Sequence, residues 1–465
     1  MMAQRNRVVF VGAGGAGLTA AFHVARRAPD AEITLFSKDP VVAYSQCGMP
    51  FVLDGKIDGF DRLIIYGPEV FKGLGLDVRT STPVADIDLD GRAVVTAGGE
   101  RVGYDRLVIA TGSKPFIPPV PGADLPGVMA LITLEDGRSL GERIGRTKDV
   151  VIVGGGPIGL ETAPAFLDAG AKVTIIERMP WLMPSALDPE MAAVVQARLE
   201  QMGARVITGK GLDAINGSGA VESVSCAGET IPADLVLLSA GVRPNVDLAK
   251  KSGIDTGVTG GIVVDEYFRV RRNGEYLDDV LAAGDCAEVK SAVTGRPIIC
   301  AVGSVANRQA AYVGDYLVGK KKPYPSVLCP AVCVIGGLHV GSVGLTARGC
   351  EQAGITAVSF KAKGLTRARY YPGGKPIEIK LFADGERLVG GQVIGEEGVH
   401  GRVNVLSLAI GKRMTPADLA AAETCYAPPV SPLIDPLTYA AEMLALKCAR
   451  AQAVKGPRED AKTPF

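Results

Sequence analysis

The sequence contains the same run of strand, glycine turn, helix and strand twice, and few folds accommodate such a duplication. The first copy reads Val8-Val9-Phe10-Val11, then Gly12-Ala13-Gly14-Gly15-Ala16-Gly17, a helical stretch to about Ala28, and Ile33-Thr34-Leu35-Phe36. The second starts 142 residues later with Val150-Val151-Ile152-Val153. It continues through Gly154-Gly155-Gly156-Pro157-Ile158-Gly159 and a helix to about Ala169, and ends in Val173-Thr174-Ile175-Ile176-Glu177. In each copy the first glycine (Gly12, Gly154) permits a tight turn and the second (Gly14, Gly156) lets the backbone approach a pyrophosphate. The third (Gly17, Gly159) lets the helix pack closely on the strand. The helix N-terminus then faces the phosphate charge. Two such units predict an α/β protein with two Rossmann-like dinucleotide-binding domains. Their joint use is to hold two redox cofactors face to face, so that hydride passes between them.

Composition bounds the partners. The 465 residues carry 50 Lys plus Arg and 50 Asp plus Glu, which removes any general electrostatic reason to expect nucleic acid or an anionic membrane. A small ligand is expected instead. No apolar run reaches the roughly 20 residues needed to span a bilayer. The nine cysteines fall at irregular spacing, as reduced thiols of a cytoplasmic protein do, and Cys329 with Cys333 matches no strong zinc pattern.

Glu177 closes the second unit where a carboxylate accepts hydrogen bonds from ribose hydroxyls and repels a 2′-phosphate, which favours NADH over NADPH. Arg178 beside it pulls the other way, since a guanidinium holds phosphate well. The first unit ends in Phe36-Ser37-Lys38, with Ser37 at the usual acid position. Two buried strands end in small-residue turns, one containing Thr111 and Gly112 and the other Gly241, and these read as crossings between nucleotide domains. A third strand ends in Gly284-Asp285.

Between the first unit and the next helix lies Ala43-Tyr44-Ser45-Gln46-Cys47-Gly48-Met49-Pro50-Phe51. Cys47 is expected at a helix N-terminus, where unpaired backbone N–H groups stabilise a thiolate. With this segment the chain resembles the pyridine nucleotide-disulfide oxidoreductases over essentially its whole length. The two-cysteine members carry C-x-x-x-x-C here. Val52 stands at the second position, so the chain resembles the single-cysteine branch: coenzyme A disulfide reductases, NAD(P)H-dependent polysulfide or sulfur reductases, and NADH oxidases and peroxidases. The resemblance implies FAD in the first unit, with Asp285 on its ribityl chain, and NADH or NADPH in the second. It further implies a homodimer. Family oxidases and peroxidases place a histidine where this chain has Gly15, which argues against oxygen or peroxide as the acceptor.

Arg369-Tyr370-Tyr371-Pro372-Gly373 and Cys425-Tyr426-Ala427-Pro428-Pro429 resemble stretches of the coenzyme A disulfide and sulfur reductases. By that resemblance Tyr370 and Tyr426 reach Cys47 from the partner subunit, and a phenol there can protonate a departing thiolate. Thr19, His23 and Arg26 share one helix face. The resemblance makes that face, with Gln46, a contact for substrate, coenzyme A disulfide foremost. An NADH oxidase working through a cysteine sulfenic acid, and a flavoprotein passing electrons to a protein partner, remain open as alternatives. The expected organisation is an FAD domain (1–112 and 247–323), an NAD(P)H domain (113–246), a dimerisation domain (324–450) and a mobile tail (451–465).

Overall fold

The computed structural model describes residues 6–455. It has the expected α/β architecture and resolves into two compact units. The first comprises the chain up to Lys148 with Gly219–Val221 and Asp234–Val327, the second Asp149–Ser218, Glu222–Ala233 and the chain from Leu328 onward. Among the described residues no helix is long and apolar enough to cross a membrane.

The first unit is organised on a six-stranded sheet in the order Arg269–Arg272, Glu275–Ala282, Arg106–Ile109, Arg7–Val11, Glu32–Phe36, Leu76–Arg79. Arg7–Val11 runs parallel to both of its neighbours. Val8, Val9, Phe10 and Val11 are all buried, so the strand has no polar alternation, as a parallel strand covered on both faces requires. An edge hairpin turns at Asn273-Gly274, both at positive φ, the geometry that Asn-Gly supplies. Helix Gly15–Arg27 buries its small face, including Ala16, Gly17, Ala20 and Ala21. It packs against helix Gly303–Leu317.

Gly12 has φ +108°, and a methyl group there would sit 2.1 Å from the Ala110 carbonyl oxygen. A methyl at Gly17 would sit 1.9 Å from the Gly12 carbonyl oxygen. These contacts are why the glycine turn tolerates no side chain at either end. Its carbonyl-lined floor is set by close backbone packing.

In the second unit Asp149–Val153, Lys172–Glu177 and Arg205–Thr208 form a parallel array, with helix Pro157–Asp168 opening on a proline at its first position. The C-terminal part is a five-stranded antiparallel sheet, Ala331–Ile335, Leu338–Gly344, Leu388–Gly395, Pro376–Ala383, Val358–Leu365. Helices Val399–Gly411 and Pro436–Lys455 pack on it. Lys380 from the sheet reaches Asp188, just before helix Pro189–Gln201, with Nζ 2.5 Å from Oδ2. The other Asp188 oxygen accepts the Ala347 N–H at 3.0 Å, and the Asp188 N–H donates to Gln392 Oε1 at 3.0 Å. This buried network fastens the nucleotide segment to the C-terminal sheet. The segment expected to be mobile from residue 451 begins inside the last helix, which runs to Lys455; residues 456–465 lie outside the described residues.

Candidate active site

The first glycine turn leaves an open cradle. A methyl at Gly14 or Gly15 would meet nothing within 4 Å, and the helix that begins there has no side-chain cap. Its first N–H groups are therefore free to receive an anion. Gly284-Asp285 follows the strand that neighbours Arg106–Ile109. Gly284 donates its N–H to Gln309 Oε1 at 2.7 Å and packs against Ala16. Asp285 accepts a hydrogen bond from the Ser113 hydroxyl at 3.0 Å, and burial pushes its carboxyl up against that bond. A half-buried carboxyl, an uncapped helix and an open glycine turn in one unit fit a flavin dinucleotide with its pyrophosphate on the turn.

The crossings stitch this unit together. Thr111 Oγ1 donates to the Asn245 carbonyl at 2.6 Å, and the Gly112 carbonyl accepts the Asn245 N–H at 2.9 Å. The Gly241 carbonyl accepts the Phe116 N–H at 2.9 Å. Ser37 is buried, and its Oγ accepts the Asp39 N–H at 3.1 Å. Its hydroxyl proton and one lone pair are left to offer a ribose, while Lys38 is exposed beside it.

In the second turn the helix is capped by Gly156 with no side-chain partner. Glu177 is 9% exposed and accepts the Gly155 N–H on Oε2 and the Met179 N–H on Oε1, each at 2.7 Å. The carboxylate is thus aimed by backbone amides at the end of its strand, and each oxygen keeps a lone pair for a ribose hydroxyl.

Cys47 lies on a short 3-10 turn, Gln46–Gly48, that runs directly into helix Met49–Leu53, where no side chain caps the N-terminus. The approach to it is held by the Ser45 N–H to the Leu63 carbonyl at 2.9 Å and the Ile65 N–H to the Ala43 carbonyl at 2.8 Å. Ala43 sits at φ +59°, a left-handed backbone that a residue with Cβ adopts only under constraint. Gln46 Nε2 donates to the Ile132 carbonyl at 3.1 Å. Cys47 and Cys425 are exposed; Cys226, Cys286, Cys300, Cys333, Cys350 and Cys448 are buried. Burial pushes the Cys333 and Cys350 thiols up, Cys350 to about 11, which makes them inert. Among the described residues no group of three or more His, Cys, Asp or Glu is arranged to hold a metal.

Tyr370 and Tyr426, far apart in sequence, share a hydrogen bond of 2.6 Å between their hydroxyls. They are 75% and 42% exposed. The bond to Tyr370 pushes the Tyr426 phenol up from its ordinary value. Val430, Leu433 and Ile434, in the stretch that follows Tyr426, are also exposed.

The helix face proposed for substrate divides. Thr19 Oγ1 accepts from Asn307 Nδ2 at 3.0 Å and Arg26 is exposed. His23 lies between two helices. Its Nε2 lies 2.8 Å from Asp315 Oδ1, and a methyl at Gly314 would sit 2.6 Å from its Cβ. One ring nitrogen is thus committed to the neighbouring helix. Phe22, between Thr19 and Arg26, carries Tyr66 edge-on at 5.2 Å. Sequence reading missed Ser113, Asn307 and Tyr66. Ser113 could have been found from its place directly after the Ala-Thr-Gly turn. Asn307 has no local signal, since its partner is 288 residues away.

Two uncapped glycine turns, a half-buried carboxyl at a strand end and an exposed cysteine at a helix start fit an oxidoreductase that couples a flavin to a pyridine nucleotide. Residues 6–310 match the family model described as pyridine nucleotide-disulphide oxidoreductase, and residues 330–436 match the dimerisation domain of that family. The chain belongs to the pyridine nucleotide-disulphide oxidoreductase family, and its cofactors are FAD and NAD(P)H. It is 40% identical over 444 residues to a Methanocaldococcus jannaschii protein named NADH oxidase, covering 94% of this chain and 98% of the relative. It is 34% identical to the CoA-dependent NAD(P)H sulfur oxidoreductase of Pyrococcus furiosus, covering 95% and 99%. The solved NAD-dependent persulfide reductase of A. fulgidus superposes with a TM-score of 0.91 at 34% identity, covering 96% of this chain and 84% of that one.

Proposed function

We propose that this enzyme uses NAD(P)H to reduce a low-molecular-weight disulfide, persulfide or polysulfide, coenzyme A disulfide foremost, through Cys47. The observation that carries the reading is an exposed thiol at an uncapped helix start with Val52, and no second thiol, within that helix. The second sulfur therefore belongs to the substrate. The names of the P. furiosus and A. fulgidus relatives support the same acceptor class.

FAD, held by the first glycine turn and Asp285, would supply two-electron chemistry fed by NAD(P)H. The residues do the rest. The Cys47 thiolate attacks one substrate sulfur, the bond between the two substrate sulfurs breaks, and a disulfide forms between Cys47 and the retained half. The departing thiolate takes a proton from Tyr426, whose hydroxyl is positioned by its bond to Tyr370. Two electrons and one proton then free the second thiol and restore the Cys47 thiolate. Tyr370 and Tyr426 act from the partner subunit of a homodimer whose contact includes Val430, Leu433 and Ile434. Thr19 with Asn307, the Phe22 and Tyr66 rings and the Arg26 guanidinium line the acceptor's path, Arg26 meeting a phosphate, and Gln46 orients the segment around the thiolate. Residues 1–112 and 247–323 hold FAD, 113–246 hold NAD(P)H, and 324–450 dimerise, in a cytoplasmic enzyme.

The name of the M. jannaschii relative favours a second reading, an NADH oxidase carrying a sulfenic acid on Cys47. Gly15, where the oxidases carry histidine, weighs against it. Turnover with coenzyme A disulfide, polysulfide or dioxygen as sole acceptor separates the two. A sulfur acceptor is expected to give a kcat/KM at least 100-fold above that of dioxygen, roughly 3 kcal/mol of discrimination. Dioxygen as the better acceptor would transfer the assignment to the oxidase.

A further inference from the structure

The Tyr370–Tyr426 pair stands on two loops that must be held from outside the sheet ladder. Residues 366–375 join strand Val358–Leu365 to strand Pro376–Ala383, whose ladder ends with Leu365 opposite Pro376. One rung follows: the Thr366 N–H donates to the Lys375 carbonyl at 2.9 Å and the Lys375 N–H to Thr366 Oγ1 at 2.9 Å. Arg367 then reaches back to Glu397, with Nε 3.1 Å from Oε1 and Nη2 2.9 Å from Oε2, and its Nη1 approaches the Pro372 carbonyl at 3.5 Å. The returning arm of the loop lies on the same side chain. A methyl at Gly373 would sit 3.2 Å from Arg367 Nη1, and one at Gly374 3.4 Å from Arg367 Cβ. At the tip the Tyr371 N–H closes on the Ala368 carbonyl at 2.8 Å, a turn with Arg369 and Tyr370 at its centre. The Ala368 N–H donates to the Pro428 carbonyl at 3.2 Å, which ties this loop to the Tyr426 segment. Glu397 and its neighbour Gly398 anchor that segment too. Arg402 donates from Nη1 to the Gly398 carbonyl at 2.8 Å and from Nε to Asp435 Oδ1 at 2.9 Å, where the segment enters helix Pro436–Lys455.

We propose that Arg367, aimed by Glu397, is a positioning residue of the acceptor reaction: it holds the Tyr370 loop so that the Tyr370 hydroxyl stays against that of Tyr426, and it acts through the tyrosines. Placement outweighs stability as the use of this pair. The Arg367 and Glu397 side chains are 30% and 36% exposed, and an ion pair that open to solvent adds little stability. A two-point guanidinium–carboxylate fork does supply direction. With both Glu397 oxygens engaged, Arg367 is fixed in orientation, and both arms of the loop are packed on it. Glu397 also accepts the Thr366 hydroxyl, and Arg367 first and Thr366 next hold its carboxyl below the ordinary range. The 2.6 Å bond between the tyrosine hydroxyls leaves little slack for the loops that carry them. The inference rests on the reading that Tyr426 protonates the departing thiolate, and adds that the geometry of this donor is set from a segment outside both tyrosine loops.

Steady-state kinetics on the full-length, FAD-loaded enzyme test it, with whichever of coenzyme A disulfide and polysulfide the wild type reduces faster. Arg367→Met keeps the stem and loses the fork; it should lower kcat by about tenfold or more and leave KM within about twofold. Arg367→Lys, which keeps the charge, should recover part of that loss. The double change Arg367→Met/Tyr370→Phe should be no slower than Tyr370→Phe alone, because the effect runs through Tyr370. Anaerobic bleaching of the flavin by NADH, a half-reaction in which the tyrosines take no part, reads the fold of each variant and should stay within about twofold of wild type. An unchanged kcat in Arg367→Met, losses that multiply in the double change, or a loss shared with flavin bleaching would each overturn the proposal and leave Tyr426 as the acid. Tyr426→Phe turning over at the wild-type rate would instead overturn the acid assignment, and this proposal with it.

Discussion

Replacing Lys380 by methionine keeps the apolar stem and removes one charge from the network that fastens the nucleotide segment to the C-terminal sheet. The Lys380 side chain is 9% exposed and that of Asp188 is 2% exposed, so solvent screens their pairing little. Glu190, the second carboxylate on Lys380, is nearly half exposed, and a pair of that kind contributes only about 0–1 kcal/mol. The cost is therefore set by Asp188. Its Oδ1 keeps the Ala347 N–H, but Oδ2 is left charged and buried without a partner. Breaking a buried pair from one side costs roughly 3–5 kcal/mol. For a unit of this size that lowers the melting temperature by roughly 2–4 °C per kcal/mol. Removing both charges in Asp188→Asn/Lys380→Met should cost about 2 kcal/mol less than the sum of the single changes, since neither charge is then stranded. The sole tryptophan reports on the site directly: Trp181 donates Nε1–H to the Leu187 carbonyl at 2.9 Å, one residue before Asp188. Urea unfolding followed by its fluorescence gives the two single changes, the double change and the coupling. Burial works to raise the Glu190 carboxyl and the Lys380 pairing outweighs it, leaving it lowered. Its stabilising share is present above the unfolded carboxyl's range, is lost as pH falls, and should vanish in Lys380→Met. A loss below about 1 kcal/mol on Lys380→Met, the size of an ordinary substitution, would refute the reasoning.

Burial pushes the Glu161 carboxyl up to about 7 against the Val334 N–H that it accepts. Its folded value is raised, so its contribution to stability is full below the unfolded value of 4.5 and is lost as pH rises to about 7; thermal melts of Glu161→Gln should lack that decline. Tyr426→Phe should slow sulfur-acceptor reduction by about 10- to 10⁴-fold, the range of a general acid. Tyr370→Phe should leave the phenol in place but shift the alkaline limb of the pH–rate profile to lower pH, since the bond raising Tyr426 is gone; an unmoved limb would count against the pair. Mixing inactive Cys47→Ser chains with slowed Tyr426→Phe chains should raise activity above the sum of the parents by subunit exchange, and activity at that sum after proven exchange would contradict a site shared between subunits.

The fold was legible because its constraints are local. Gly17 is required by a contact inside its own turn and Gly12 by its positive φ, and the uninterrupted apolar strand Val8 to Val11 states its burial on both faces. Glu177 was legible for the same reason, ending its strand where the turn glycines need it. The site was less so wherever it depends on distant partners. The shared face of Thr19 and His23 was correctly derived from helical spacing, but that spacing says nothing of helix Gly303–Leu317, which brings Asp315 to His23 and Asn307 to Thr19. The bond between Tyr370 and Tyr426 and the approach of Arg348 to Met179 likewise join residues that no periodicity links.

The central claim is that Cys47 carries the acceptor chemistry and takes no part in flavin reduction, and anaerobic stopped-flow on Cys47→Ser measures it most directly. Flavin bleaching by NADH is expected at close to the wild-type rate, while reoxidation by coenzyme A disulfide or polysulfide falls by at least about 10³-fold, since serine cannot form the sulfur–sulfur bond. The wild type alone should show a long-wavelength charge-transfer band between the Cys47 thiolate and the flavin. A serine variant that reduced sulfur acceptors at the wild-type rate would make the cysteine a bystander and contradict the account.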